Sequence, residues 1–276
     1  MQRVSVGLGV RDAYGSELLA IRDRGVLDVL EVMIDDGLEA SPRLETWRRL
    51  GARWPLIAHG TELGIASAEP PDPGYLKRVA KALGRAHVHW YSEHLAFVAT
   101  KDTALGHFVP LGSSEEELAV LRDNVAAVRA RVPVPFLLEN PSDILGWEAE
   151  LGGHSLGARY ARSLEVAECG ALLDLTNLLL DAKNDGWDPM HFLDAMDLER
   201  VVQIHVAGGR FDGALHIDSH DHDVTDETWD LLAHVGARAS QLRAVIIERD
   251  DRLPPLDALL GEVSRARAAL AKAGRA

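Results

Sequence analysis

The chain has 276 residues, an apolar fraction of 47% and a formal charge of −14. That is enough apolar content for a large core. The negative charge argues against a nucleic-acid binder, which needs a basic face for phosphates. With one cysteine, Cys169, no intrachain disulfide can form, and its apolar surroundings mark it as a buried small hydrophobe. The first residues, MQRVSVGLGVRDAYG, carry an apolar run cut off by Arg11 and Asp12. That is neither a signal peptide nor a membrane span, so a cytoplasmic setting without membrane contact is expected.

In chain order, eight short β-branched runs predict strands at Val4–Val10, Leu27–Met33, Pro55–His59, Val88–His94, Pro135–Glu139, Ala171–Leu175, Val201–Val206 and Ala244–Glu248. They suit strands covered on both faces. Helical patterns separate them, at Pro73–Leu83, Leu156–Glu168, Asp188–Met196, Asp226–Val235 and Leu256–Ala273. The clearest helix opens on a capping box of Ser113 and Glu116. It continues through an apolar stripe of Leu118, Leu121, Val125, Val128 and Val132, and ends before Pro133 and Pro135. Longer loops are expected at Gly60–Asp72, Ala96–Gly112, Asn140–Ser155 and Ala207–Thr225. Repeated β-then-α units without a linker predict one domain over residues 1–276, a single (β/α)8 TIM-type barrel of the xylose-isomerase-like kind. Gly7 and Gly9 lack the third glycine of a dinucleotide fingerprint and are expected to serve packing at the first strand.

The strand ends carry the chemistry. His59, His94, Glu139, Asp174, Asn177, His205, Asp218, His220 and Glu248 each follow an apolar run or lie just past one. In a barrel of this type they converge on the C-terminal mouth. Burying so many imidazoles and carboxylates without a counter-ion is costly. Bound cations resolve that cost, and a donor set of imidazole and carboxylate without thiolate suits iron, manganese or zinc. There are more donors than one ion needs, so two or three ions sharing a bridging carboxylate are expected. Asp218 and His220 alternate on an extended segment and can hold one ion together. Glu93, Asn140, Asp221, Arg249 and Asp250 sit next to these positions and are expected to orient them by hydrogen bonds. His216 and His222 are expected to face solvent.

The ordered motifs HG, SEHL, LLENPS, LLDLTN, IHVAG, IDSHD and IERD resemble domain-of-unknown-function family 692, the family of MbnB of methanobactin biosynthesis and TglH of thiaglutamate biosynthesis. The resemblance spans about Val4 to Pro255. It implies a barrel holding two or three non-haem iron ions (Fe2+/Fe3+), with O2 as co-substrate. The implied substrate is a ribosomally made precursor peptide, oxidised usually at a cysteine, with a small leader-binding partner protein. Matched by position, His59, His94 and Glu139 would hold one iron. Asp174, His205 and Glu248 would hold a second, bridged by Glu139, and Asn177, Asp218 and His220 a third. Catalysis would rest on Glu139, Asp174, His205 and Glu248. After the second strand the segment EVMIDDGLE, with Met33, Asp35 and Asp36, stands where many members carry a His-x-Glu-Asn-Tyr motif. In that it is closer to the methanobactin branch, whereas the loop after His59 is closer to the thiaglutamate branch. Two other readings fit the donors alone: a divalent-metal sugar isomerase or phosphodiesterase on the same barrel, and a non-enzymatic peptide- or metal-binding barrel.

Overall fold

The computed structural model describes residues 3–39, 42–100, 103–143 and 152–275. Its strands in chain order are β1 (Ser5–Gly9), β2 (Val29–Met33), β3 (Leu56–Gly60), β4 (Tyr91–His94), β5 (Ala96–Thr100), β6 (Thr103–Pro110), β7 (Phe136–Glu139), β8 (Gly170–Asp174), β9 (Val201–Val206), β10 (Gly208–Phe211), β11 (His216–His222) and β12 (Ala244–Ile247). Eight of them close a barrel in the order β1-β12-β9-β8-β7-β4-β3-β2, with every pair parallel. The helices among the described residues are α1 (Gly15–Ala20), α2 (Pro42–Gly51), α3 (Pro73–Ala86), α4 (Glu115–Arg129), α5 (Gly152–Ala167), α6 (Leu175–Asp185), α7 (Pro189–Ala195), α8 (Asp226–Arg238) and α9 (Leu256–Lys272).

The strand alternation sorts residues into two cores. Val6, Leu8, Leu30, Val32, Leu138, Leu173, Ile204, Val206 and Val245 point outward and join the large apolar layer shared with the helices. Val29, Ile57, Ala244 and Ile246, with Trp90 packed against them, form a separate plug inside the barrel. The side chains further along those strands, above the plug, are polar. Gly7 is required here: a Cβ at that position would lie 1.9 Å from the carbonyl oxygen of Val29, so the expected packing role holds.

Three local expectations are corrected. The capping box belongs to Ser114 and Glu117, because Ser114 is the extended residue before α4 and Glu117 is at its third position. Asp174 and Asn177, expected only as residues following an apolar run, are the N-cap and first turn of a helix, α6. Two of the expected loops contain antiparallel hairpins, β5–β6 and β10–β11, raised on the C-terminal side of β4 and β9. In the second, a Cβ on Gly208 would meet the backbone of His222 at 2.4 Å, so the glycine permits the strand pairing. The loop expected at Asn140–Ser155 lies partly outside the described residues; Gly152 onward is α5.

Candidate metal centre

The barrel register brings the strand ends level with one another: Met33 beside His59, His59 beside Ser92, His94 beside Glu139, and Asp174 beside His205. Glu139 sits at the centre. Its Oε2 is 3.2 Å from His59 Nε2 and 3.3 Å from His94 Nε2. Its Oε1 is 3.1 Å from His205 Nδ1. Glu248 Oε2 lies between two further imidazole nitrogens, 3.0 Å from His205 Nδ1 and 3.3 Å from His220 Nδ1. Asp174 spends Oδ1 on the backbone N–H groups of Thr176 and Asn177, capping α6. Its Oδ2 faces His220 Nε2 at 3.8 Å.

Four overlapping groups have ligand atoms close enough to hold a metal ion: His59 with His94 and Glu139; Glu139 with Asp174 and His205; Asp174 with His220 and Glu248; and Glu31 with His205 and Glu248. Of the nine residues expected from the sequence, seven therefore gather at the barrel mouth. Asp218 joins through His220, whose Nε2 is 2.7 Å from Asp218 Oδ1. Asn177 is buried; its amide nitrogen donates to the carbonyl of Asn140 at 3.2 Å, leaving Oδ1 without a donor.

Whether these residues fit a metal is decided by atoms that find no other partner. Glu31 Oε1, Glu139 Oε2, Asp174 Oδ2, Asn177 Oδ1, Asp218 Oδ1 and both nitrogens of His220 are buried and make no aligned hydrogen bond among the described residues. Buried polar atoms are rarely left so. Imidazole nitrogens and carboxylate oxygens at about hydrogen-bond range without hydrogen-bond alignment are what an ion between them would satisfy. His220 also adopts a left-handed backbone, φ 47°, a conformation that costs about 1–3 kcal/mol and concentrates at functional sites.

Charge crowding tells the same story. Burial raises Glu139 to about 7 and Asp174 to about 8. Burial also lowers His94 to about 4 and holds His59 well below its ordinary value. At His205 burial opposes the charge, but Glu248, Glu31 and Glu139 outweigh it and raise its pKa. Glu248 is lowered in turn, because His205, His220 and Arg11 outweigh its desolvation. Groups here are thus either pushed toward their neutral forms by burial or kept charged only by one another, and a bound cation would offset the buried carboxylates' loss of solvent.

The residues that orient this cluster were only partly legible. Ser92 Oγ, not Glu93, meets His59 Nδ1, at 3.0 Å. Glu93 instead bonds Tyr91 and the backbone N–H of Leu63. Asn140 does hold Asp174, through both its backbone N–H and carbonyl. Asp250 Oδ2 lies 3.3 Å from His220 Nδ1. Arg249 turns away to Asp223, and Asp221 to Ser219 and His222. His222 is exposed and His216 half-buried; neither joins a group that could hold an ion among the described residues. Arg11, Glu31, Gln203 and Phe108 were not expected. Arg11 reaches Glu248 at 3.6 Å. Phe108 stacks on the His94 ring, centroids 3.7 Å apart and planes 9° apart. Cys169 is buried away from this centre, its thiol raised to about 11 by desolvation.

A sequence profile described as "RiPP precursor modification enzyme MbnB/TglH/ChrH" matches residues 5–271. The chain belongs to the MbnB/TglH/ChrH family. Curated relatives of this family member include a UPF0276 protein of Caulobacter vibrioides, 34% identical over 98% of this chain and 95% of the relative. A UPF0276 protein of Pseudomonas aeruginosa is 34% identical over 100% of this chain and 97% of its own. Among solved structures, 3-keto-D-glucoside 4-epimerase from E. coli aligns with a TM-score of 0.59 at 14% identity, covering 96% of this chain and 100% of that one. Endonuclease IV from Thermus thermophilus aligns at 0.58 and 17%, covering 97% and 99%. A xylose isomerase domain protein from Planctomyces limnophilus aligns at 0.56 and 14%, covering 98% and 99%. At such identities the likeness is one of fold: this MbnB/TglH/ChrH member is a xylose-isomerase-like TIM barrel.

A cleft of about 540 Å³ opens beside the cluster. Thr61, Val98, Ala99, Ala104 and Phe108 form part of its wall, and Asp218 belongs to both cleft and cluster. Membership of a family of precursor modification enzymes implies a peptide as the substrate. No helix among the described residues is long and apolar enough to cross a membrane.

Proposed function

We infer that this chain is a multinuclear non-haem iron enzyme that uses O2 to oxidise a residue, a cysteine in the first instance, of a ribosomally synthesised precursor peptide. A small partner protein that binds the peptide's leader would present it. The observation that carries the multinuclear reading is Glu139, with one oxygen facing His59 and His94 and the other facing His205. A carboxylate so placed can serve two ions at once. His59, His94 and Glu139 would hold one ion. Asp174, His205 and Glu248 would hold a second with Glu139, and Asn177, Asp218 and His220 a third.

When bound, the iron would supply the Lewis acidity and redox chemistry that side chains lack. The chain's own residues bind, aim and shield. Ser92 fixes the His59 ring so that Nε2 faces Glu139. Arg11 draws one Glu248 oxygen outward while the other stays between His205 and His220. Phe108 covers one face of His94 and, with the other cleft residues, offers an apolar wall to the peptide. Glu139 and Asp174, both raised by burial, give up their protons when the site loads.

The test is metal analysis of protein purified without oxygen, followed by incubation with a precursor peptide encoded beside its gene and the leader-binding partner. The expected result is more than one iron per chain and an O2-dependent mass change in the peptide. Equal turnover without O2, or full activity with zinc or magnesium alone, overturns the oxidative reading. It favours the hydrolase or isomerase chemistry suggested by fold neighbours named as sugar epimerases and an endonuclease.

A further inference from the structure

Glu31 lies on β2, 1% exposed, below the candidate ligands and outside the nine residues singled out by the strand-end pattern. Its Oε2 accepts from the side-chain amide of Gln203. Its Oε1 is 2.9 Å from His205 Nε2 and takes no aligned hydrogen bond. The Trp90 indole N–H, which can only donate, lies 2.6 Å from Gln203 Oε1. The Gln203 amide nitrogen is therefore the end that faces Glu31 and, at 2.8 Å, His205 Nε2. Across the ring, His205 Nδ1 lies 3.1 Å from Glu139 and 3.0 Å from Glu248.

These contacts leave the His205 ring two arrangements, one for each position of its hydrogen. With its hydrogen on Nδ1, it donates to Glu139 or Glu248, and Nε2 accepts from Gln203. With its hydrogen on Nε2, it reaches Glu31 Oε1, 2.9 Å away, once that carboxylate and the Gln203 amide turn into line, and Nδ1 presents a lone pair to the carboxylate cluster. A neutral imidazole ligates only through the nitrogen that carries no hydrogen. We propose that Glu31 is the positioning residue of His205: it accepts the Nε2 hydrogen in the metal-bound protein, commits ligation to Nδ1, and is not itself a ligand. Trp90 and Gln203 hold the Glu31 carboxylate in register for that role. The proposal rests on the metal-centre reading above and names which atom of His205 serves it.

Zinc, being diamagnetic, allows a direct test on the full chain. Nitrogen-15 histidine spectra of zinc-loaded protein report which His205 nitrogen carries hydrogen, and zinc titration gives the affinity and number of ions. The expected wild-type result is hydrogen on Nε2 and zinc on Nδ1. Glu31→Leu should weaken the ion held by His205 by about 10–100-fold and leave the ion of His59 and His94 in place. Glu31→Gln, which keeps a carbonyl acceptor, should restore most of that affinity. Hydrogen on Nδ1 with zinc on Nε2 overturns the proposal, and so does wild-type affinity in Glu31→Leu beside a normally loading wild type. Wild-type protein that takes up no zinc or iron removes the metal centre itself and this proposal with it. If Glu31→Leu fails to fold, the wild-type spectrum alone decides.

Discussion

At the residue scale the site turns on Glu139. It is 1% exposed, and no apolar residue could take its place without leaving the Nε2 atoms of His59 and His94 facing an apolar wall. Glu139→Gln keeps the volume and removes the charge. If the carboxylate bridges two ions, metal affinity should fall by more than about 100-fold, beyond the loss of an orienting partner, and the number of ions per chain should drop. A general base alone would lose activity and keep its metal. Elemental analysis beside peptide turnover separates the two. Glu139 was legible because it ends an apolar strand run. Glu31 was not, although it too lies in an apolar run: it stands within β2 with Val32 and Met33 after it, so the strand-end pattern passes over it. Gln203 and Ser92 escaped for the same reason, since nothing in their sequence neighbourhood reports the ring nitrogens they face across the barrel.

At the scale of elements, Asp174 shows how one side chain serves two structures. Oδ1 caps α6 and Oδ2 faces the cluster. Asp174→Ser keeps a capping oxygen, whereas Asp174→Ala removes it at a cost of about 1 kcal/mol. Metal-free thermal melts should therefore separate the two variants, while both should bind less metal than the wild type. The hairpins form the other functional element. Ala99 and Ala104 pair across β5–β6 and keep that stretch of the cleft wall low. Ala104→Trp should leave metal content unchanged and raise the KM for the peptide by about tenfold, roughly 1.4 kcal/mol of binding. An unchanged KM would place the peptide elsewhere. The hairpins were read as loops because their apolar alternation is weak, with β6 largely exposed, and pairing within a hairpin depends on a turn rather than a core.

At the scale of the whole molecule, the cluster makes the metal-free barrel sensitive to pH. Between pH 6.5 and 8, Glu139 and Asp174, raised to about 7 and about 8, and His205 and His220, also raised, hold protons in the fold that the unfolded chain has released. The folded state then binds more protons, so its stability falls as pH rises through this window. His59 and His94, both lowered, act in the opposite direction, mainly below this window, and are outnumbered within it by the four raised groups. The melting temperature of metal-free protein should drop from pH 6.5 to pH 8, and that of zinc-loaded protein should rise, because ligation requires the deprotonated groups. Parallel melts with and without a chelator check this, and matching slopes would count against a metal centre.

The periodicity of apolar runs by itself determined the barrel, since eight buried strands alternating with helices have few other ways to hide both faces. It also determined that the polar ends of those strands share one mouth, because parallel strands all finish on the same side. The ordered motifs determined the family. Only the tertiary structure decided which oxygen of Glu139 faces which imidazole, that Asp174 is spent half on a helix, and that Glu31 and Phe108 belong to the centre. Those facts depend on register and distance between residues far apart in the chain, such as Glu31 and His205, 174 positions apart and 2.9 Å from each other, and separations of that kind leave no trace in local sequence.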